Sequence, residues 1–177
     1  MNENRICALI LMIVFVCGAV FLCVRMVPGQ DIKRPMLEKN KVYRIEMPAN
    51  RHWVSTGYDV EKGQSLYFRA EGIISLQKGN PKAFPCSPNG LDLKTMQQPI
   101  TDENLGALIG RVVLLISVEE DEETGEEIRN EIIKEFYIGE SGEVVMPIQG
   151  ELQLGINELV VEDNEGDFRV FMRLIED

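Results

Sequence analysis

Beyond residue 23 the chain has one cysteine, Cys86, and in its whole length one histidine, His52. These scarcities remove much of the usual site chemistry. A single thiol in the folded part excludes an intradomain disulfide and a cysteine-ligated zinc. A lone histidine beside Trp53 leaves a catalytic imidazole without an evident nucleophile or acid to work with, so His52 reads as a surface or strand-edge residue. Cys86 follows Pro85 with no histidine beside it and reads as a small apolar residue or a free thiol. A Gly-rich phosphate cradle, a His-Glu-x-x-His zinc motif and a nucleophile elbow are all missing. Positive charge is scarce too. Eighteen Lys and Arg against 29 Asp and Glu give a net charge of -11. That balance opposes nucleic-acid binding, whose affinity comes from cations displacing counterions on the phosphate backbone. No enzymatic constellation is legible, and a non-enzymatic role is expected.

What the chain does have is 177 residues, 45% of them apolar, enough for one domain with a real core. The run from Ile6 to Val24 carries no charge and no proline. At helical rise it covers the roughly 30 Å hydrocarbon core of a bilayer, so residues 6–24 are expected to form one N-terminal transmembrane helix. A cleaved signal peptide is the alternative, but apolar residues continue past the small Cys17-Gly18-Ala19 stretch. Arg25, Lys33, Arg34, Lys39 and Lys41 follow the run and only Arg5 precedes it, which by the positive-inside rule points the domain inward. Large domains translocate largely regardless of such charges, and an apolar leader ahead of a β domain reads as an export signal. The expectation is a single-pass membrane protein, anchored in the lipid bilayer, with an extracytoplasmic C-terminal domain.

Residues 27–41 contain Pro28-Gly29, Pro35 and mixed charges without an apolar period, and read as a stalk. From residue 42 the pattern changes to short runs rich in β-branched and aromatic residues: Val42–Met47, Ser65–Ala70, Val112–Val118, Ile132–Ile138, Val144–Met146 and Phe168–Leu174. Turn residues separate them, among them Lys62-Gly63, Pro88-Asn89-Gly90, Ser141-Gly142 and Asn164-Glu165-Gly166. No amphipathic run suits a substantial helix. Residues 42–177 are therefore expected to form one all-β sandwich. An acidic segment, Glu119 to Glu127, lies between two strand-like runs and reads as the tip of a hairpin insertion at 119–131, because dense like charge stays in solvent. A calcium-collecting patch is the other reading, though the spacing is not that of an EF-hand loop.

The segment Leu152 to Leu174 brackets a loop rich in oxygen-bearing side chains with two β-like runs. Together with Trp53–Gly57, Gly63-Gln64, Leu66–Phe68, Ala70-Glu71-Gly72-Ile73-Ile74-Ser75-Leu76, Gly106–Gly110 and Phe136–Gly139, it resembles the LecA-like galactophilic lectins. The resemblance implies a jelly-roll-like, galactose-binding-like β-sandwich. It also implies a calcium ion held by the closing loop and completed by sugar hydroxyls. Asn157-Glu158 stands where the family has Asn-Asp, and Asp163-Asn164 where it has Asn-Asn, with Gly166 and Phe168 in register behind. The implied ligands are the Leu76 carbonyl, Glu158, Asp163 and Asn164, oxygens of the kind that calcium takes.

The departures are a Leu for the family's Tyr at position 76, a Glu for its Asp at 158, and a shorter loop between the two pairs. Neither the His nor the Gln of the family's sugar-binding loop has a counterpart in Asn80 to Asn89, so galactose specificity is not implied. In that loop Phe84 either offers an apolar face to a sugar ring or serves as a local packing anchor. The expected function is a membrane-tethered binding module for carbohydrate or another extracellular ligand. The closing loop reads either as a calcium site, with calcium the cofactor, or as an ordinary acidic turn in which Asp163, Asn164 and Gly166 serve the hairpin. The rival is a structural module that binds an envelope or membrane protein partner and has lost both sites. The resemblance leaves a homo-oligomer open.

Overall fold

Alternation along the last strand shows how the fold is built. Phe168, Val170, Met172 and Leu174 are all buried to within 1% of completely, whereas Arg169 and Arg173 between them are exposed. One face of an extended chain thus enters a core and the other meets water. The computed structural model describes residues 34–77, 84–96, 98–121 and 123–176. The apolar run at 6–24 and the stalk before residue 34 lie outside these. Among the described residues no helix is long and apolar enough to cross a membrane.

The described chain is all-β. Its strands are β1 (Val42–Pro48), β2 (Trp53–Val60), β3 (Ser65–Glu71), β4 (Ile74–Ser75), β5 (Pro85–Cys86), β6 (Leu108–Glu120), β7 (Glu127–Tyr137), β8 (Ser141–Val145), β9 (Gly150–Ile156) and β10 (Glu165–Glu176). One sheet runs β5-β4-β10-β3-β8, with β1 also paired to β10; the other runs β2-β9-β6-β7. Every strand-to-strand ladder is antiparallel. Leu66, Phe68 and Phe168 from the first sheet meet Leu108, Val112, Leu152 and Leu154 from the second in one core, as a β-sandwich requires.

The sandwich also recruits part of the segment read as a stalk. Leu37 is buried in the core, Met36 bridges to Asp59, and the Asn40 amide donates to Leu174 O at 2.9 Å. Arg34 adds an ion pair with Glu151 at 3.0 Å. A single leucine among charges carries no period, yet it suffices to dock this stretch on the domain.

β6 and β7 run past the rest of their sheet as a two-stranded ribbon with a register shift at Ile116. The tip is an Asx turn. Asp121 Oδ1 accepts from the amides of Glu123 at 2.9 Å and Thr124 at 2.8 Å, and these bonds hold its carboxyl below the usual range. That carboxylate is committed to capping the turn.

Candidate functional site

The short strands β4 and β5 and the start of β10 determine what gathers at one end of the sandwich. Ser75 pairs with Glu165 and Ile74 with Gly166, while on the other side Ser75 pairs with Pro85 and Ile74 with Cys86. Leu76 follows Ser75, Phe84 precedes Pro85 and Asn164 precedes Glu165, so each of these sequence-derived residues adjoins a paired position of this short three-stranded stretch. Gly166 permits this approach. Its φ is +94°, and a Cβ there would lie 2.9 Å from Ile73 O and 3.3 Å from Ile74 Cα.

The connection from β9 to β10 carries the other two. It is anchored at its start by Asn157, which is completely buried. The Asn157 Nδ2 donates to Ile100 O and Asn104 O, both at 3.0 Å, and its Oδ1 accepts from the Ile100 amide at 2.9 Å. Its backbone amide donates to Ala107 O at 2.8 Å. Every polar group of this side chain is thus spent on stapling the loop before β6. The resemblance sets Asn157-Glu158 against the family's Asn-Asp without implying a task for Asn157, and no local signal in the sequence points to partners so distant.

Next comes Glu158, half-buried, with a carboxyl pushed up from its ordinary value by desolvation. The neighbouring charge of Asp163 raises it further, and a hydrogen bond from Asn164 opposes the shift. Asn164 itself is only 3% exposed. Its Nδ2 donates to Glu158 Oε2 at 2.7 Å and to Ala49 O at 3.3 Å. Its Oδ1 is buried and has no hydrogen-bond partner among the described residues. Asp163 is exposed beside it, and Asn164 also borders an open cleft of about 750 Å³ whose walls carry Glu46, Glu162, Glu165, Asp167 and Arg169.

Glu158, Asp163 and Asn164 thus lie together, joined by the Asn164–Glu158 hydrogen bond and by the Asp163 charge acting on Glu158. They offer two carboxylates and an amide oxygen, oxygens suited to a hard cation. Among the described residues no three His, Cys, Asp or Glu side chains are grouped to hold a metal, so a cation here would need neutral oxygens as well. The buried, unpartnered Asn164 Oδ1 is the feature that fits one.

Phe84 immediately precedes β5; it has a φ of +53° and is 59% exposed, so part of its ring meets solvent. Cys86 lies beneath, 1% exposed, and burial pushes its thiol up to about 12, with the Glu158 charge adding to the shift. Such a thiol is not a nucleophile at neutral pH. His52 is exposed, with Nε2 3.4 Å from Glu162 Oε1, and touches none of these groups. Sequence reasoning also passed over Gln98, which is buried and donates from Nε2 to Ile100 O at 2.8 Å, fixing the same loop that Asn157 holds.

No family model matches the chain, and no curated protein matches it. Among solved structures it is similar to a domain described as the EclA N-terminal domain, a PllA-like lectin. The TM-score is 0.50 at 17% sequence identity, over 75% of this chain and 95% of that one. At this identity the likeness establishes a lectin-like β fold.

Proposed function

We propose that the domain is a non-enzymatic carbohydrate-binding module that uses calcium. The observation carrying this reading is the gathering of Glu158, Asp163 and Asn164 in the closing loop of a lectin-like sandwich, with the buried Asn164 amide oxygen left unpartnered. Glu158 and Asp163 would supply charge to the ion, Asn164 its side-chain oxygen and Leu76 its carbonyl. When bound, calcium would order sugar hydroxyls by admitting them to its coordination shell. The chain's own part in recognition is to hold the loop rigid through Asn157 and to offer the exposed Phe84 ring to the apolar face of a pyranose. The apolar run at 6–24 would tether the module to a bilayer, with the domain on the extracytoplasmic side.

Thermal unfolding with calcium, with magnesium and with chelator tests the ion. A ligand of the folded state at a hundredfold excess over Kd adds about 2.7 kcal/mol, which is several degrees for a domain of this size. The expected result is a rise with calcium that magnesium does not reproduce. Identical unfolding in all three conditions counts against the ion site.

A further inference from the structure

Among the described residues β7 is the edge strand of its sheet and pairs with β6 alone. It is eleven residues long, contains no proline, and leaves Ile128, Ile132 and Ile133 46%, 45% and 40% exposed. A long edge with apolar side chains on both faces is a template for another strand, and its charges, Glu127, Arg129, Glu131, Lys134 and Glu135, are mixed in sign, so that they repel most partners but can be matched by one of suitable register. A ribbon of two strands standing away from its sandwich gains little from its own sheet.

The residues of β7 say which strand fits. Cross-strand pairing sets Phe136 opposite Gly110, Lys134 opposite Val112 and Ile132 opposite Leu114, on the face where Phe136 packs against the core. Arg129, Glu131, Ile133 and Glu135 occupy the outer face. Two copies of β7 meeting antiparallel about a two-fold axis must place that axis between one residue and its own counterpart, because directly opposed side chains share a face of the pleat.

An axis at Glu131 sets that carboxylate against itself and Glu127 against Glu135. One at Ile133 sets Glu131 against Glu135 twice, and one at Lys134 opposes two ammonium groups. An axis at Asn130 matches Arg129 with Glu131 but leaves residues 134–137 unpaired. The axis at Ile132 bisects the strand and pairs all of it. Arg129 then faces Glu135 of the other copy on both sides of the axis, Ile128 faces Phe136, Ile132 faces itself, and no like charges are directly opposed.

We propose that β7 pairs with β7 of a second copy of this chain in that register, joining two four-stranded sheets into one continuous sheet. The interface is isologous and closes at a dimer. It uses the acidic ribbon and lies apart from the loop that carries Glu158 and Asn164, so it stands or falls independently of the ligand.

Sedimentation of the full chain in density-matched detergent, across a dilution series, tests it. The wild type is expected to dissociate from dimer to monomer. R129E puts like charges opposite each other at both symmetric positions and raises the dissociation constant by about tenfold or more. R129E/E135R recreates the attraction and returns the constant towards the wild-type value. Loss of the Arg129–Glu131 ion pair within one strand, 2.9 Å in the structure, would not be rescued in this way. As a check that does not disturb charge, I132C in a chain whose other four cysteines are alanine is expected to give a disulfide-linked dimer on mild oxidation. A wild-type chain that is monomeric throughout, a double variant that fails to recover while still folded, or an I132C chain that does not cross-link overturns the proposal.

Discussion

The Asn164 amide donates to Glu158 Oε2 at 2.7 Å while the oxygen of the same amide is buried without a partner among the described residues. An unsatisfied buried acceptor costs about 1–3 kcal/mol, so this arrangement sacrifices stability at one loop of an otherwise well-paired sandwich. Binding sites commonly carry such a cost, which a ligand then repays.

Glu158→Gln tests the electrostatic half of the pair. The folded carboxyl is raised above its unfolded value, so folding takes up protons. This group's contribution is fully present below the unfolded value near 4.5 and is lost as pH rises through the raised folded value. At neutral pH the half-buried charge therefore opposes folding. In metal-free protein Glu158→Gln is expected to raise Tm at pH 7 and to flatten its decline as pH rises above the unfolded value. The same variant is expected to lose its response to calcium.

Gly166→Ala tests the approach of β10 to β4. The residue sits at φ +94° with Ile73 O 2.9 Å from the place of the new Cβ, and the strain is expected to cost about 1–3 kcal/mol in urea unfolding. It is also expected to weaken any calcium effect, since the start of β10, next to Asn164, would shift away from β4.

Asn157→Ala removes three side-chain hydrogen bonds at once and leaves Ile100 O, Asn104 O and the Ile100 amide without them. A loss of about 3 kcal/mol is expected. Hydrogen exchange should quicken selectively at residues 98–106, whereas an effect spread evenly over the sandwich would show that Asn157 is not a local staple.

Phe84→Ala separates ligand contact from fold. The ring is exposed, so Tm is expected to change by less than about 1 °C, while saccharide affinity falls up to about tenfold. Unchanged affinity would remove Phe84 from the site.

Strands with a dry face and a wet face announced themselves. Leu66, Phe68 and Ala70 in β3 and the buried Phe168, Val170, Met172 and Leu174 of β10 alternate cleanly, and both strands lie where the pattern places them. β7 begins at Glu127 rather than Ile132 because its first half is a solvated ribbon, where Glu127, Arg129 and Glu131 hide the strand signal. β2 mixes Trp53 with Ser55, Thr56 and Gly57 and has no period to read. The closing loop stood out by its oxygens, and the structure joins Glu158 to Asn164 within it. The burial of Asn164 and the task of Asn157 were not legible, because their partners are backbone carbonyls 53 to 115 residues away, which side-chain identity does not encode.

Binding of the full chain to an array of immobilised saccharides, in calcium and then in chelator, tests the central claim most directly. The expected result is retention on one class of saccharide in calcium, lost in chelator and lost in Glu158→Gln. Retention on no saccharide in either condition would contradict the carbohydrate-binding reading, and retention that survives chelator would contradict the role given to the ion.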